Sequence, residues 1–340
     1  MNTPVRIDLK DPSSFPSRRV EAWKYTDLRK FLRESPAPSP EGVVAPGGPF
    51  AALGGAELAF VNGRCEGFPG IVAEGENVVR LRFVSTGEGT GHEARVTIDV
   101  KAGASLVLLE SYEGLAPAYV SNVELEITVG EGASLTRVIL AEDSEDAIGL
   151  SQAHIALAHG ATLHQAAFSA GGKLQRTETR VEHPGHGAFV RLDGAYILSG
   201  ARHADFTSIV DHGGPDGRTS QLTKGVVRDA ARGVFQGKII VERGADGTDA
   251  RMGHHALILG ERAEIDAKPE LIIYADDVQC AHGNTVGNLD QNALFYMQQR
   301  GIPLEEARAL LTEAFLMEVV DRIEHDGAKE VVRAWLTDRL

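Results

Sequence analysis

The feature that most constrains this chain is a short segment that returns at almost constant intervals. Gly103-Ala-Ser-Leu106 recurs as Gly132-Ala-Ser-Leu135, as Gly160-Ala-Thr-Leu163 and, more loosely, as Gly187-Ala-Phe-Val190, with spacings of 29, 28 and 27 residues. A glycine turn followed by a strand start at a fixed period means stacked supersecondary units, each with an apolar face that only its neighbours can cover. Gly244-Ala245 keeps the pattern two periods further on. Between the turns lie β-rich runs, among them Ala94 to Val100, Ser105 to Glu110, Val123 to Val129, Leu135 to Leu140 and Lys238 to Val241. In the third of these, Val123, Leu125, Ile127 and Val129 alternate with polar residues, the signature of a strand with one buried face. The dipeptides Asn62-Gly63, Asp193-Gly194, Asp216-Gly217 and Asp246-Gly247 keep a hairpin-built sandwich open. The fixed period favours a β-helix or similar solenoid.

Composition agrees with a repeating coil. Glycine fills 38 of 340 positions, about 11% against the usual ~7%. It is spread through the middle of the chain rather than gathered in a linker. The 12 Phe, 6 Tyr and 2 Trp are few for this length, which predicts a core of stacked aliphatic rungs. With 34 basic and 48 acidic residues the formal charge is −14, which argues against a general partner for nucleic acid or an anionic membrane. Cys65 and Cys280 form no disulfide framework and no zinc module. The polar start, Met1 to Lys10, does not resemble a signal peptide, and no apolar run is long enough to span a bilayer. The expected location is the cytoplasm, with both cysteines reduced.

Three regions follow: an N-terminal helical arm and linker (1–50), a β-helix core (51–287) and a C-terminal helical region (288–340). Ser17 to Leu32 reads as a helix, followed by a proline- and glycine-rich connector to Phe50. Asp290 is placed to cap a helix reaching Arg300, with Gly301 as its stop and Pro303 opening the next. On that second helix Ala307, Leu310, Leu311, Ala314, Phe315 and Val319 form the expected buried stripe. Gly327 then reads as a break before a last amphipathic segment bearing Val331, Val332, Trp335 and Leu336.

Histidine is the residue type with most chemistry to place. His154, His159 and His164 recur every five residues, which aligns them on neither a strand nor a helix face, so they read as polar residues outside the solenoid. His254 and His255 point to opposite faces of a strand. His183 and His186 flank a Pro-Gly turn and read as solvated. Cys280-Ala-His282 differs, since donors at i and i+2 on an extended segment share one face and can meet one metal. Two donors do not close a four-ligand site, so the others must come from distant residues, a partner chain or the cargo. A buried Cys beside a hydrogen-bonded His is the alternative. Asp276-Asp277 faces both sides of a strand and makes no shared-proton dyad. No Walker A sequence, G-x-S-x-G elbow or H-E-x-x-H occurs.

The segment KPELIIYADDVQCAHGNTVGNLDQNALFYMQQRGI (Lys268 to Ile302) resembles the C-terminal signature of the SufB/SufD family of iron–sulfur cluster assembly proteins. RRVEAWKYTDL (Arg18 to Leu28) is similar to the opening motif of its SufD branch, and Gly283, where SufB members carry Glu after Cys-x-His, agrees with that branch. The resemblance implies a right-handed parallel β-helix with helical regions at both ends, and a non-catalytic scaffold. It implies SufB as a partner through the β-helix ends and the SufC ATPase as a partner through the C-terminal helices, where Leu294, Phe295, Tyr296, Arg300 and Ile302 are the expected contacts. It further implies His282, with Cys280 as a second choice, as a ligand for a transient iron–sulfur cluster. No cofactor is expected to stay on this chain alone, and whether flavin binds the complex is left open. The alternatives are a β-helix enzyme acting on polysaccharides, for which no strand-aligned carboxylate pair is found, and a homodimeric scaffold joined through exposed strand edges.

Overall fold

The structure is a computed structural model and describes residues 5–340. Successive strands alternate between two parallel nine-stranded sheets, so the chain winds as a flattened solenoid. One sheet runs in the order Gln279–Gly287, Asp249–Ile258, Arg218–Val227, Phe189–Leu198, Thr162–Ser169, Ser134–Glu142, Ser105–Gly114, Glu76–Ser85, Ala56–Val61. The other holds Ala37–Pro38, Thr90–Val100, Tyr119–Val129, Ile148–Leu157, Leu174–His183, His203–His212, Arg232–Val241 and Glu264–Ile273, with Ile71–Ala73 also paired to Thr90–Val100. In the first sheet Ser105, Ser134, Thr162, Phe189, Arg218, Asp249 and Gln279 lie one above another, so each coil takes 27 to 31 residues. The repeated turn is built on Gly103, Gly132, Gly160 and Gly187, all left-handed with φ between 62° and 77°. Only glycine adopts this conformation without strain. Asn62-Gly63 does make a tight reversal, with an antiparallel bridge from Val61 to Arg64, whereas Asp193-Gly194 lies inside a strand.

The outer faces of the two sheets are covered by the chain's two ends. The N-terminal arm lies on the second sheet, where Ile7, Leu9, Phe15, Trp23 and Leu28 pack on Val120, Ile148, Leu150 and Leu174. Residues 17–32 are not the continuous helix their sequence predicts. They form one 3-10 turn, Glu21–Trp23, and the four-residue helix α1, Leu28–Phe31. Long-range ties override local propensity: the Arg176 guanidinium stacks 4.2 Å over the Trp23 ring, the Thr26 hydroxyl bonds Asp205, and Gln236 donates to Ala22 O at 3.2 Å.

The first sheet is covered by helices α2 (Gln291–Gln299), α3 (Leu304–Val320) and α4 (Asp326–Thr337). Their apolar residues join Leu109, Val138, Leu140, Phe168, Ile197 and Val226 in one cluster. Asp290 caps α2, and Gly301 follows it with φ 87°. The buried face of α3 is Ala307, Thr312, Leu316, Val319 and Val320, rotated from the expected stripe, and Leu310 and Ala314 are exposed. Thr312 can be buried because its hydroxyl bonds back to Arg308 O at 2.7 Å, and Phe315 sits half-buried beneath Lys224, 4.2 Å from its ring. Gly327 lies in the first turn of α4; the break falls before it, where the His325 ring accepts from Ala328 N.

The interior is aliphatic in part only. Leu106, Leu135, Leu163 and Val190 form one row, and Phe60, Phe83 and Tyr112 stack at 5.4 and 5.0 Å in another. In the middle coils some inward positions are polar. Arg137 forms a two-pronged pair with Glu110 at 2.8 and 2.9 Å and donates to Gln165 at 2.8 Å. His183 is not solvated as its turn sequence predicts: it is buried and stacks on His212, ring centres 4.2 Å apart. The in-register strands bring the two imidazoles over one another.

Two predictions follow from this construction. Gly132 has open space around it, so Gly132→Ala isolates the conformational penalty, and denaturant unfolding should show a loss of about 1–2 kcal/mol. Burial holds His92, His203 and His254 near pKa 4 and His212 near 3, so these rings stay neutral when folded and protonate near pH 6.5 when unfolded. Their stabilising contribution is complete above pH 6.5 and is lost as pH falls below it. Burial raises Asp143 and Asp193 to about 6, which offsets part of that loss below pH 6. Four rings outweigh two carboxyls, so the melting temperature should fall steadily from pH 6.5 to pH 5; a flat profile there would contradict the buried neutral histidines.

Candidate functional site

The last coil of the solenoid ends both sheets. Glu264–Ile273 pairs only with Arg232–Val241, and Gln279–Gly287 only with Asp249–Ile258, so among the described residues each leaves one edge unpaired. Ile273, Tyr274 and Val286 are exposed there, and Ile265, Leu271, Val278 and Cys280 are half-buried against the core beneath. A rung of this composition with unpaired backbone groups is a surface that other chains can extend.

The alternation of the final strand places its chemistry. Cys280, His282 and Asn284 stand in register on Ala250, Met252 and His254, which are all buried inside the solenoid. These three residues therefore continue the interior rows into open solvent, spaced about 6.8 Å apart along the strand. Cys280 is half-buried and His282 and Asn284 are exposed. Desolvation pushes the Cys280 thiol above its ordinary pKa, although a backbone hydrogen bond with Ala250 works the other way. It is thus a protonated thiol at neutral pH and becomes a strong ligand only when a metal displaces its proton. One imidazole and one thiol on a common face can hold one ion from one side. No group of three or more His, Cys, Asp or Glu side chains converges on a metal position among the described residues.

The remaining histidines lie elsewhere. His154 is on the outer face of the arm-covered sheet, 3.2 Å from Glu126 and 3.1 Å from Glu182. His164 is on the outer face of the other sheet, paired with Glu324. His159 packs against His186 at a turn, with ring centres 4.5 Å apart. These residues do not come together. His255 faces outward to Thr285 at 2.7 Å, whereas His254 turns inward. Asp276 and Asp277 are exposed in the loop before the final strand, where Asp277 O accepts from Gly247 N at 2.7 Å.

The helical residues divide in the same way. Leu294 is buried in the helix–sheet cluster and Ile302 packs against it. Phe295 and Tyr296 are exposed on α2, and the Arg300 guanidinium lies over the Tyr296 ring at 5.1 Å and donates to its hydroxyl at 3.0 Å. Sequence reasoning missed Asn284 and His254. The signal was present in the strict alternation Cys280-x-His282-x-Asn284, and in the adjacent His254-His255, one of which had to face the interior.

Residues 83–315 match the family described as "SUF system FeS cluster assembly, SufBD core domain". The chain is 31% identical to the iron–sulfur cluster assembly protein SufD of Escherichia coli, over 72% of this chain and 58% of that protein. It is 30% identical to the chloroplast protein ABCI7 of Arabidopsis thaliana, over 76% of this chain and 56% of that one. A SufBD family protein of Mycobacterium bovis is 26% identical over 97% of this chain and 90% of its own length. The chain thus spans little more than half the length of the first two relatives.

Proposed function

The chain belongs to the SufBD family of iron–sulfur cluster assembly proteins, and from that membership we propose that it is a SufD-like scaffold subunit that pairs with SufB and binds the SufC ATPase. The observation that carries this reading is the open last coil, which presents Cys280 and His282 at an unpaired sheet end. A SufB solenoid end set against it supplies the missing rung and the missing donors together. His282 is then this chain's ligand to a nascent cluster, which is cargo rather than a resident cofactor, with Cys280 the weaker donor because burial favours its protonated form. Family membership replaces the polysaccharide-acting alternative.

The C-terminal helices supply the second surface. Phe295, Tyr296 and Arg300 are exposed to meet SufC, while Leu294 and Ile302 hold α2 to the body. Only three residues separate the end of the final strand from the start of α2, so a displacement of the helix is felt directly at the strand that carries Cys280 and His282. ATP-driven approach of two SufC subunits thereby opens the SufB–SufD interface to iron and sulfur, and this chain hydrolyses nothing itself. The same unpaired edges favour a homodimer when the chain is alone, and SufB should dissolve it.

The test is anaerobic reconstitution with SufB and SufC, followed by iron and sulfide quantification. His282→Ala should leave subunit pairing intact and reduce bound iron and sulfide by about 10–100-fold, the range seen even when only a supporting partner of a ligand is lost. Full cluster yield with normal pairing would remove His282 from the site. Absence of a stable complex with SufB and SufC would overturn the scaffold reading.

A further inference from the structure

Next to Cys280 and His282, the third inward-facing residue of the last strand is tied into the solenoid by a hydrogen-bonded relay. His254 is fully buried and lies flat on Phe235, ring centres 4.7 Å apart and planes within 5°. Its Nε2 is 2.9 Å from the Tyr196 hydroxyl and its Nδ1 is 2.7 Å from Asn284 Oδ1. Burial decides the direction of both bonds. Tyr196 is fully buried, and His254 Nε2 is the hydrogen-bond partner of its hydroxyl among the described residues. An O–H left without an acceptor there costs about 1–3 kcal/mol. The hydroxyl therefore donates to Nε2, which must be the unprotonated nitrogen of a neutral ring. Nδ1 then carries the proton and needs an acceptor, and this fixes the Asn284 amide with Oδ1 inward and its NH2 outward. Asn284 is exposed, and its NH2 has no partner among the described residues. Two N–H donors of set direction thus face out of the open end, one strand repeat from His282.

We propose that Asn284 is a hydrogen-bond donor to an anionic sulfur, sulfide or thiolate, brought beside His282, and that Tyr196 and His254 are the residues that position it. The proposal rests on the cluster-assembly reading and assigns the site a donor in addition to its ligands. Amide donors to cluster sulfur neutralise charge and raise the reduction potential. His254 never reaches the sulfur. Locked between Phe235 and two hydrogen bonds, it holds the amide in one of its two orientations.

The tautomer is read on the isolated, isotopically labelled chain by long-range proton–nitrogen correlation. His254 should be protonated at Nδ1, and protonation at Nε2 overturns the relay. Tyr196→Phe removes the hydroxyl and should shift the ring toward the other tautomer while the fold is kept. In the anaerobic complex with SufB and SufC, Asn284→Leu should pair normally and hold a cluster of lower reduction potential. Asn284→Asp, which sets a carboxylate against anionic sulfur, should lose most of the bound iron and sulfide. Loading Co(II) without sulfide leaves a thiolate as the anionic sulfur present. A sulfur-to-cobalt absorption band that moves in Asn284→Leu assigns the acceptor as thiolate, and a stationary band with a shifted potential of the iron–sulfide product assigns it as sulfide. If the unmodified complex takes up no iron or sulfide, the cluster-assembly reading falls and this one with it. If it loads, and both Asn284 variants match it in content, potential and cobalt band, only the Asn284 assignment falls.

Discussion

Everything in this molecule depends on in-register parallel pairing between successive coils. A strand of the solenoid cannot satisfy its own backbone N–H and C=O groups, and its neighbours in sequence lie in the opposite sheet. Each coil is completed only by the coils before and after it. The glycine turns exist to keep that register: a positive-φ residue at the same point of each coil returns the chain to the height at which its hydrogen bonds fall due. The stacked identities of the interior rows follow from the same condition, because residues one coil apart share almost the same surroundings.

Such a stack has two faces and two ends to cover, and the chain deals with the faces by its own termini. The arm crosses one sheet and the three helices cross the other, so neither sheet meets solvent as a continuous apolar surface. Both coverings are pinned by charge as well as by packing. Arg176 joins Trp23 of the arm to Glu178 and Asp205 of the sheet, and Arg322 of the helical region reaches Asp193 at 2.8 Å. Removing one partner of such a pair leaves a buried charge, which destabilises far more than the intact pair stabilises. These contacts fix where the coverings sit, while the apolar clusters supply most of the attraction.

Features governed by local period were legible in the sequence, and features governed by distant contacts were not. The coil length, the strands and the caps of α2 could be read because glycine turns, alternation and capping act over a few residues. Ser17 to Leu32 reads as a helix by composition, yet Trp23 and Thr26 are held by residues more than 150 positions away and the segment is drawn out along the sheet. The buried face of α3 depends on how the helix lies across the sheet, and Thr312 hides its hydroxyl in a way no hydropathy pattern records. His183 looked solvated because its turn is polar, but the strand before the turn faces it inward. At the candidate site, Cys280 and His282 were visible as alternating donors. The inward role of Asn284 depends on His254, one coil earlier, and on Tyr196, two coils before His254.

The two ends of the solenoid are treated differently. At the first end the reversal at Asn62-Gly63 folds Cys65 and Phe68 back against the interior. The Asn62 side chain bonds Pro40 O at 2.9 Å and Thr86 N at 2.8 Å, and Arg64 reaches Pro40 O and Ser39 O. Short polar links and a small apolar plug thus close that end. Among the described residues the last coil has no equivalent segment, because the chain leaves it at Gly287 and turns away along the outer face of the sheet as α2 to α4. The residues that continue the interior rows there are a thiol, an imidazole and an amide rather than leucine and valine. An end that needs another chain to satisfy its backbone, and that carries an unfinished donor set, can be completed in structure and in chemistry by the same contact. Cys65 and Cys280 make the contrast plain: both thiols are half-buried and have their pKa raised by desolvation, but one belongs to the plug and the other stands at the open rim beside His282.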